Sequence, residues 1–190
     1  MTRAITPILE PGKIYRTRDL AAWSANPARL AKRLVRIGQL MPLARGLFIR
    51  PTKSRFGPVP ATDEELVRAF LDGAPFVFTG PERWNPLGLG TTAVFAQSLV
   101  YNTKRSGLIR LGRRSFLLRR VAFPEKPSKE WYAVDLLEHS FQVGVDLNDL
   151  VVALGRALDR GDFKKGLLAD MLQRYASKAT RALVESLLHG

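Results

Sequence analysis

Asn26-Pro27-Ala28-Arg29-Leu30-Ala31-Lys32-Arg33-Leu34-Val35-Arg36-Ile37-Gly38 reads as a short helix with both ends marked. Asn26 is a favourable N-cap, Pro27 fits the first helical position, and Gly38 suits the left-handed residue that closes a helix. Leu30, Leu34 and Ile37 follow i, i+4, i+7 and predict a buried stripe. Arg29, Lys32, Arg33 and Arg36 follow i, i+3, i+4, i+7 and predict a second stripe made only of cations. Like charges at that spacing repel by a few tenths of a kcal/mol per pair. A polyphosphate lying against them would offset that repulsion. For one isolated helix a solvated basic face is the simpler account; the flanks change the weighting.

Upstream, Thr17-Arg18-Asp19-Leu20-Ala21-Ala22-Trp23 reads as a preceding short helix capped by Thr17, with Ser24-Ala25-Asn26 as a tight turn. That is the spacing of a helix-turn-helix. Downstream, residues 39–43 and Leu47-Phe48-Ile49-Arg50 read as two strands around Ala44-Arg45-Gly46, a turn whose glycine permits positive φ. Helix, turn, basic helix and hairpin in that order predict a winged helix. In such a fold the basic helix enters the major groove of double-stranded DNA. Arg29, Lys32, Arg33 and Arg36 then divide between base edges and phosphates, and Asn26 and Arg29 lie nearest the bases. Arg45 at the wing tip reaches the minor groove or its phosphates, and Thr17 and Arg18 hold the backbone. A winged helix usually has a fuller first helix than residues 1–16 allow, where only Ile5, Ile8 and Leu9 suggest a helical turn.

The charge balance agrees. The 190 residues carry 30 Lys and Arg against 17 Asp and Glu, a net of +13. Residues 1–60 hold 12 cations and 2 anions, while residues 61–190 hold 18 and 15. The excess therefore sits where the helix-turn-helix is read, and it calls for a polyanionic partner. No apolar run approaches a membrane span, and Met1–Pro7 lacks the apolar core of a signal peptide. With no cysteine, disulfides and thiolate metal sites are excluded, which fits a cytoplasmic protein.

The chain as a whole reads as α+β. A winged helix-turn-helix domain over residues 1–55 is followed, over 62–190, by a mixed domain with a short antiparallel sheet and C-terminal helices. Pro51, Gly57, Pro58 and Pro60 mark the stretch between them as a linker. Thr62 and Glu65 form a capping box for a helix that ends at Gly73. Residues 98–123 alternate as an antiparallel meander. Lys104, Arg105, Arg110, Arg113, Arg114, Arg119 and Arg120 make a second basic cluster there, with no acid among them. Cations on edge strands guard against aggregation, yet seven in 17 residues without a counter-charge favour a working surface. The last third is helical, with Trp131, Val134, Leu137 and Phe141 on one stripe.

Catalytic and cofactor chemistry is not expected. Gly88-Leu89-Gly90-Thr91-Thr92 lacks the third glycine and the Gly-Lys-Ser/Thr of a phosphate loop. His139 and His189 are the only histidines and have no zinc-ligand set around them. His139 reads as a helix-surface or packing residue, and Asp135 with Glu138 as a polar helix face. No cofactor, metal or enzyme activity is predicted.

Six stretches, three in each part of the chain, carry a resemblance to a known family. Arg18-Asp19-Leu20-Ala21, the basic helix and Leu43-Ala44-Arg45-Gly46-Leu47-Phe48-Ile49 resemble the N-terminal winged helix of AbiEi-type antitoxins. Asn85-Pro86-Leu87-Gly88-Leu89-Gly90-Thr91-Thr92, then Val100-Tyr101-Asn102-Thr103, then Ile109-Arg110-Leu111-Gly112-Arg113-Arg114 are similar to the loop, strand and Arg-rich hairpin of that family's second part. The resemblance spans residues 14–125. It implies the repressor half of a type IV toxin–antitoxin, or abortive-infection, module: a DNA-binding antitoxin that represses its own operon at promoter repeats. It also implies a cognate nucleotidyltransferase toxin, countered by the second domain without a stable complex; the basic residues of 104–120 are the candidate antitoxin surface. The alternative is an RNA-binding or ribosome-associated protein that uses the same Arg-rich segment.

Overall fold

The computed structural model describes residues 7–55 and 57–189. The helical turn anticipated around Ile5 lies outside them, as does the side chain of His189. The chain is α+β and divides into two compact units. One comprises the residues up to Ala74 together with Ile109–Ser115; the other comprises Pro75–Leu108 and the residues from Phe116 onward.

In the first unit, β1 (Ile14–Arg16) leads into a 3-10 helix (Thr17–Ala22) and then α1 (Pro27–Arg36). β2 (Met41–Ala44) and β3 (Leu47–Ile49) follow as a hairpin about Gly46, at φ 74°. The three strands form an antiparallel sheet in the order β1-β3-β2, pairing Tyr15 with Phe48 and Pro42 with Phe48. Leu9, Tyr15, Leu20, Leu30, Ala31, Leu34 and Leu40 close one core between this sheet and the helices. Ile37 does not join it. It is 58% exposed, because α1 has ended by Arg36 and the backbone turns away at Gly38.

Two expectations about the boundary are corrected. Residues 51–61 are not a bare linker: β4 (Thr52–Ser54) and β5 (Gly57–Val59) pair antiparallel. A two-stranded ribbon accommodates Pro58 because an edge strand can leave a missing donor facing outward. The helix α2 (Asp63–Phe70) then belongs to the first unit, so the division falls after Ala74 rather than at residues 55–62. The Thr62–Glu65 capping box forms as read. At the other end of α2, Arg16 donates to the carbonyls of Ala69 and Phe70 at 2.5–3.0 Å, supplying a cation to the orphan acceptors of a helix C-terminus.

The second unit holds β6 (Phe76–Thr79), α3 (Pro81–Trp84), a 3-10 turn (Asn85–Leu87) and β7 (Ser98–Asn102). β8 (Gly107–Leu111) and β9 (Arg114–Arg120) are a hairpin through Gly112 whose outer end is assigned to the first unit. The sheet order is β6-β7-β9-β8, and β7 runs parallel to β9. The expected meander is thereby corrected. β9 buries Phe116 and Leu118 and takes the interior position, whereas β8 exposes Leu108 and goes to the edge.

Asn102 fixes that crossing. Its side chain is fully buried; Nδ2 donates to the carbonyls of Arg105 and Arg119, and Oδ1 accepts from the N–H groups of Lys104 and Arg105. Removing it strands four backbone groups at once. Asn102→Ala is expected to cost about 2–3 kcal/mol, from the penalty of unsatisfied buried polar groups, read as a lower urea midpoint with an unchanged slope.

Helices α4 (Lys129–Glu138), α5 (Ser140–Val143), α6 (Leu147–Asp159), α7 (Lys165–Tyr175) and α8 (Lys178–His189) complete the unit. α4 is central and buries Trp131, Val134 and Leu137 together with Glu130 and Asp135. Phe141, read as part of the same stripe, is 94% exposed, because α4 stops at Glu138 and the chain restarts in α5 at a new angle.

Candidate nucleic-acid interface

α1 is built as its sequence dictates. Oδ1 of Asn26 accepts from the N–H of Arg29 at 3.0 Å, and Pro27 occupies the first turn, where its missing donor costs nothing. Leu30, Ala31 and Leu34 are buried, which sends Arg29, Lys32, Arg33 and Arg36 to the surface. Among the described residues none of these four cations has an ion-pair or hydrogen-bond partner. Arg33 and Arg36 lie in the last turn, where the helix dipole favours a cation by about 0.3–1 kcal/mol. Arg29 lies in the first turn, where the same dipole opposes it, so nothing within the helix explains that charge.

The four cations line one cavity of about 480 Å³, together with Trp23, Ser24 and Leu30. Trp23 is held edge-on to buried Tyr15, with ring centroids 6.3 Å apart. The turn before α1 is tightened by the N–H of Asn26 donating to Oγ of Ser24 at 3.1 Å. The surface is thus a concave basic strip with one aromatic wall, not a bare row of charges.

No family model matches this chain, and neither does any curated protein. Among solved structures it is similar to the crystal structure of the RV2827C protein from Mycobacterium tuberculosis. That likeness covers 93% of this chain and 71% of the other at 15% identity, with a TM-score of 0.48.

The remaining residues read as DNA contacts fall into two groups. Arg45 is exposed at the β2–β3 turn. Thr17 and Arg18 also make contacts within the unit, while the Arg18 side chain stays 64% exposed. Oγ1 of Thr17 lies 3.5 Å from the carbonyl oxygen of Gly46, and Arg18 forms an ion pair with Asp72. Thr17 also fails as a helix cap: the N–H of Arg16 donates to Oδ2 of Asp19 at 2.7 Å, so the 3-10 helix begins one residue earlier. Arg18, Asp72 and the Arg16–α2 contact form an internal brace that no local sequence pattern announces.

The second basic cluster is not one surface. Arg110, Arg113 and Arg114 fall in the first unit and Lys104, Arg105, Arg119 and Arg120 in the second. Arg114 is paired with Asp63 at the start of α2. Lys104, Arg105, Arg119 and Arg120 are exposed around the corner that Asn102 ties together.

A polar cluster that the sequence reading took for a helix face lies inside the second unit. Asp135 is 6% exposed. Its Oδ2 accepts from Oγ1 of Thr79 and from Nε1 of Trp84 at 3.0 Å, and its Oδ1 accepts from the Tyr101 hydroxyl at 2.7 Å. Nδ1 of His139 lies 2.7 Å from the Asp135 carbonyl oxygen, and its Nε2 lies 3.1 Å from the Tyr101 hydroxyl. Asp135 is enclosed by Thr79 of β6, Trp84 of α3 and Tyr101 of β7, which its carboxylate faces. Burial pushes its carboxyl pKa up, against the pull of His139 and of the three donors. Burial and then Asp135 push Tyr101 far above the ordinary tyrosine range, so its hydroxyl stays a donor.

A carboxylate, a tyrosine and an imidazole in contact are the parts of an acid–base relay. A carbonyl only accepts, so Nδ1 of His139 must carry a proton, and both oxygens of Asp135 already accept. Among the described residues no group of three His, Cys, Asp or Glu is placed to hold a metal, and no helix is long and apolar enough to cross a membrane.

Proposed function

We propose that this chain is a winged-helix DNA-binding protein, the antitoxin and autorepressor of a type IV toxin–antitoxin operon. The carrying observation is the strip on α1: four exposed cations without internal partners among the described residues, around one concavity walled by Trp23. α1 enters the major groove, with Arg29 nearest the base edges and Lys32, Arg33 and Arg36 sharing bases and phosphates. Arg45 on the β2–β3 turn reaches the adjoining phosphates or minor groove. Thr17 and Arg18, in the 3-10 helix before α1, hold the phosphate backbone. The antitoxin assignment rests on the motif resemblance: the second unit counters a nucleotidyltransferase toxin without a stable complex. No cofactor and no catalysis are assigned to the chain.

Five phosphate contacts, four from α1 and one from Arg45, predict that log K falls against log salt with a slope at least as steep as about −4.5. A mobility-shift titration on the DNA upstream of this coding frame, between about 50 and 200 mM salt, should give a shift with that slope. No shift, or equal competition by a structured RNA, overturns the DNA reading. The rest predicts a nucleotidyltransferase coding frame beside this one: on co-expression growth should be restored by this chain and not by residues 1–74 alone.

A further inference from the structure

We propose that the tip of the β8–β9 hairpin is a second wing, whose Arg110 and Arg113 bind phosphates of the duplex that α1 and Arg45 engage. The inference rests on the duplex-binding reading above. Its starting point is the division of the chain: Ile109–Ser115 are the only residues beyond Ala74 that belong to the first unit.

The tip is held there from two sides. The N–H of Gly112 donates to the carbonyl of Leu43 in β2 at 2.8 Å. Gly112 adopts φ 62°, which a side chain would strain, and its Cα side faces Leu43 closely: a Cβ there would meet Leu43 Cδ2 at 3.4 Å. Arg114 is paired with Asp63 in the first turn of α2. Leu111 is buried, so the pleat turns its neighbour Arg110 to the opposite, exposed face. Arg113 is exposed in the turn itself. Neither Arg110 nor Arg113 has an ion-pair partner among the described residues. Of the three arginines at the tip, one anchors it and two are presented outward.

Proximity to the wing follows from chain dimensions. Leu43 precedes Arg45 by two residues and Gly112 precedes Arg113 by one. The Cα atoms of Arg45 and Arg113 therefore lie within about 18 Å of each other. A turn of duplex is about 34–36 Å long, so the two arginines fall within about half a turn. Edge protection, the ordinary reason for cations on an outer strand, accounts for Arg110 on β8. It does not account for Arg113, which sits in a turn and offers no strand edge.

The test is fluorescence anisotropy with the full chain and a labelled mixed-sequence duplex of about three turns. Each phosphate contact contributes about 0.9 to the salt slope. Arg110→Ala/Arg113→Ala should make the slope shallower by about 1.8 and weaken binding roughly 60-fold at 0.1 M salt. Lys165→Ala/Lys178→Ala removes the same charge elsewhere and should leave the slope alone. Circular dichroism melts check that each variant is folded. Suppose the hairpin variant keeps the wild-type slope while Arg33→Ala/Arg36→Ala loses binding: the second wing is then overturned and the α1 reading stands. A wild-type chain that binds no duplex at all overturns the α1 reading, and the second wing with it.

Discussion

Asp135→Ala is expected to lower the unfolding free energy by about 3–5 kcal/mol, the cost of breaking a buried, hydrogen-bonded polar set by removing one member. Three donors lose their acceptor together: the Thr79 hydroxyl, the Trp84 indole N–H and the Tyr101 hydroxyl. Asp135 itself is only 6% exposed, at the edge of a cavity of about 200 Å³ that Tyr101 and His139 also line. Urea unfolding followed by tryptophan fluorescence reads this directly, because two of the three tryptophans, Trp84 and Trp131, lie in this core. Asp135→Asn should cost far less. Its amide oxygen can keep Thr79 and Trp84, and its NH₂ can donate to the Tyr101 hydroxyl, which accepts as readily as it donates. A loss of under about 1 kcal/mol for the alanine variant would mean that the cluster is open to solvent.

The same carboxyl carries a pH dependence of definite sign. Burial raises its folded pKa above the unfolded value, which is about 3.9. The folded state then holds the proton more tightly. The contribution of this group to stability is fully present below pH 4 and declines as pH rises through the raised folded pKa. Wild type should therefore exceed Asp135→Asn in stability by most near pH 4, and that margin should narrow as pH rises. A pH-independent difference would assign the whole effect to hydrogen-bond geometry.

What could be read from the sequence was what is decided locally. Asn26, Pro27 and Gly38 bound α1 through contacts within four residues, and Thr62 with Glu65 bounds α2 in the same way. The exposed cations of α1 follow once Leu30 and Leu34 are buried. Features set by distant partners could not be read. Arg16 finds the end of α2 across 53 residues, and this draws α2 into the first unit. β9 displaces β8 beside β7 because of how much each strand buries, which alternation within one strand does not rank. Asp135 is one turn from Glu138 on one helix, yet Thr79, Trp84 and Tyr101 enclose the former while the latter is exposed. Ile37 shows the converse: a stripe extended by period alone runs past the point where the helix stops.

These failures bear on the interface. Thr17 and Arg18 keep a position for backbone contacts in the basic surface: Arg18 pairs with Asp72 while its side chain stays 64% exposed. The arginines of the hairpin tip widen it from the other side. Lys104, Arg105, Arg119 and Arg120 form a separate exposed patch on the second unit.

Neutralising α1 as a whole gives the largest expected change in binding. In Arg29→Ala/Lys32→Ala/Arg33→Ala/Arg36→Ala, four phosphate contacts at about 0.9 log unit each, at 0.1 M salt, predict a loss of roughly 10³- to 10⁴-fold in duplex affinity. The salt slope should fall by about 3.6 at the same time. Stability should move the other way. The pairs 29–32, 29–33, 32–36 and 33–36 are like charges at i, i+3 or i, i+4, each costing about 0.2–0.5 kcal/mol. Alanine is also the best helix former. The lost dipole interactions of Arg33 and Arg36 offset part of that gain, so the variant should be as stable as wild type or more stable by up to about 1 kcal/mol. This pairing of outcomes separates the two accounts of the strip. If the cations served the fold, their removal would lower the melting temperature. If they are an idle solvated face, stability would rise while affinity stayed within a few-fold of wild type. Only a surface held at a cost for a polyphosphate partner loses its ligand and keeps or improves its fold.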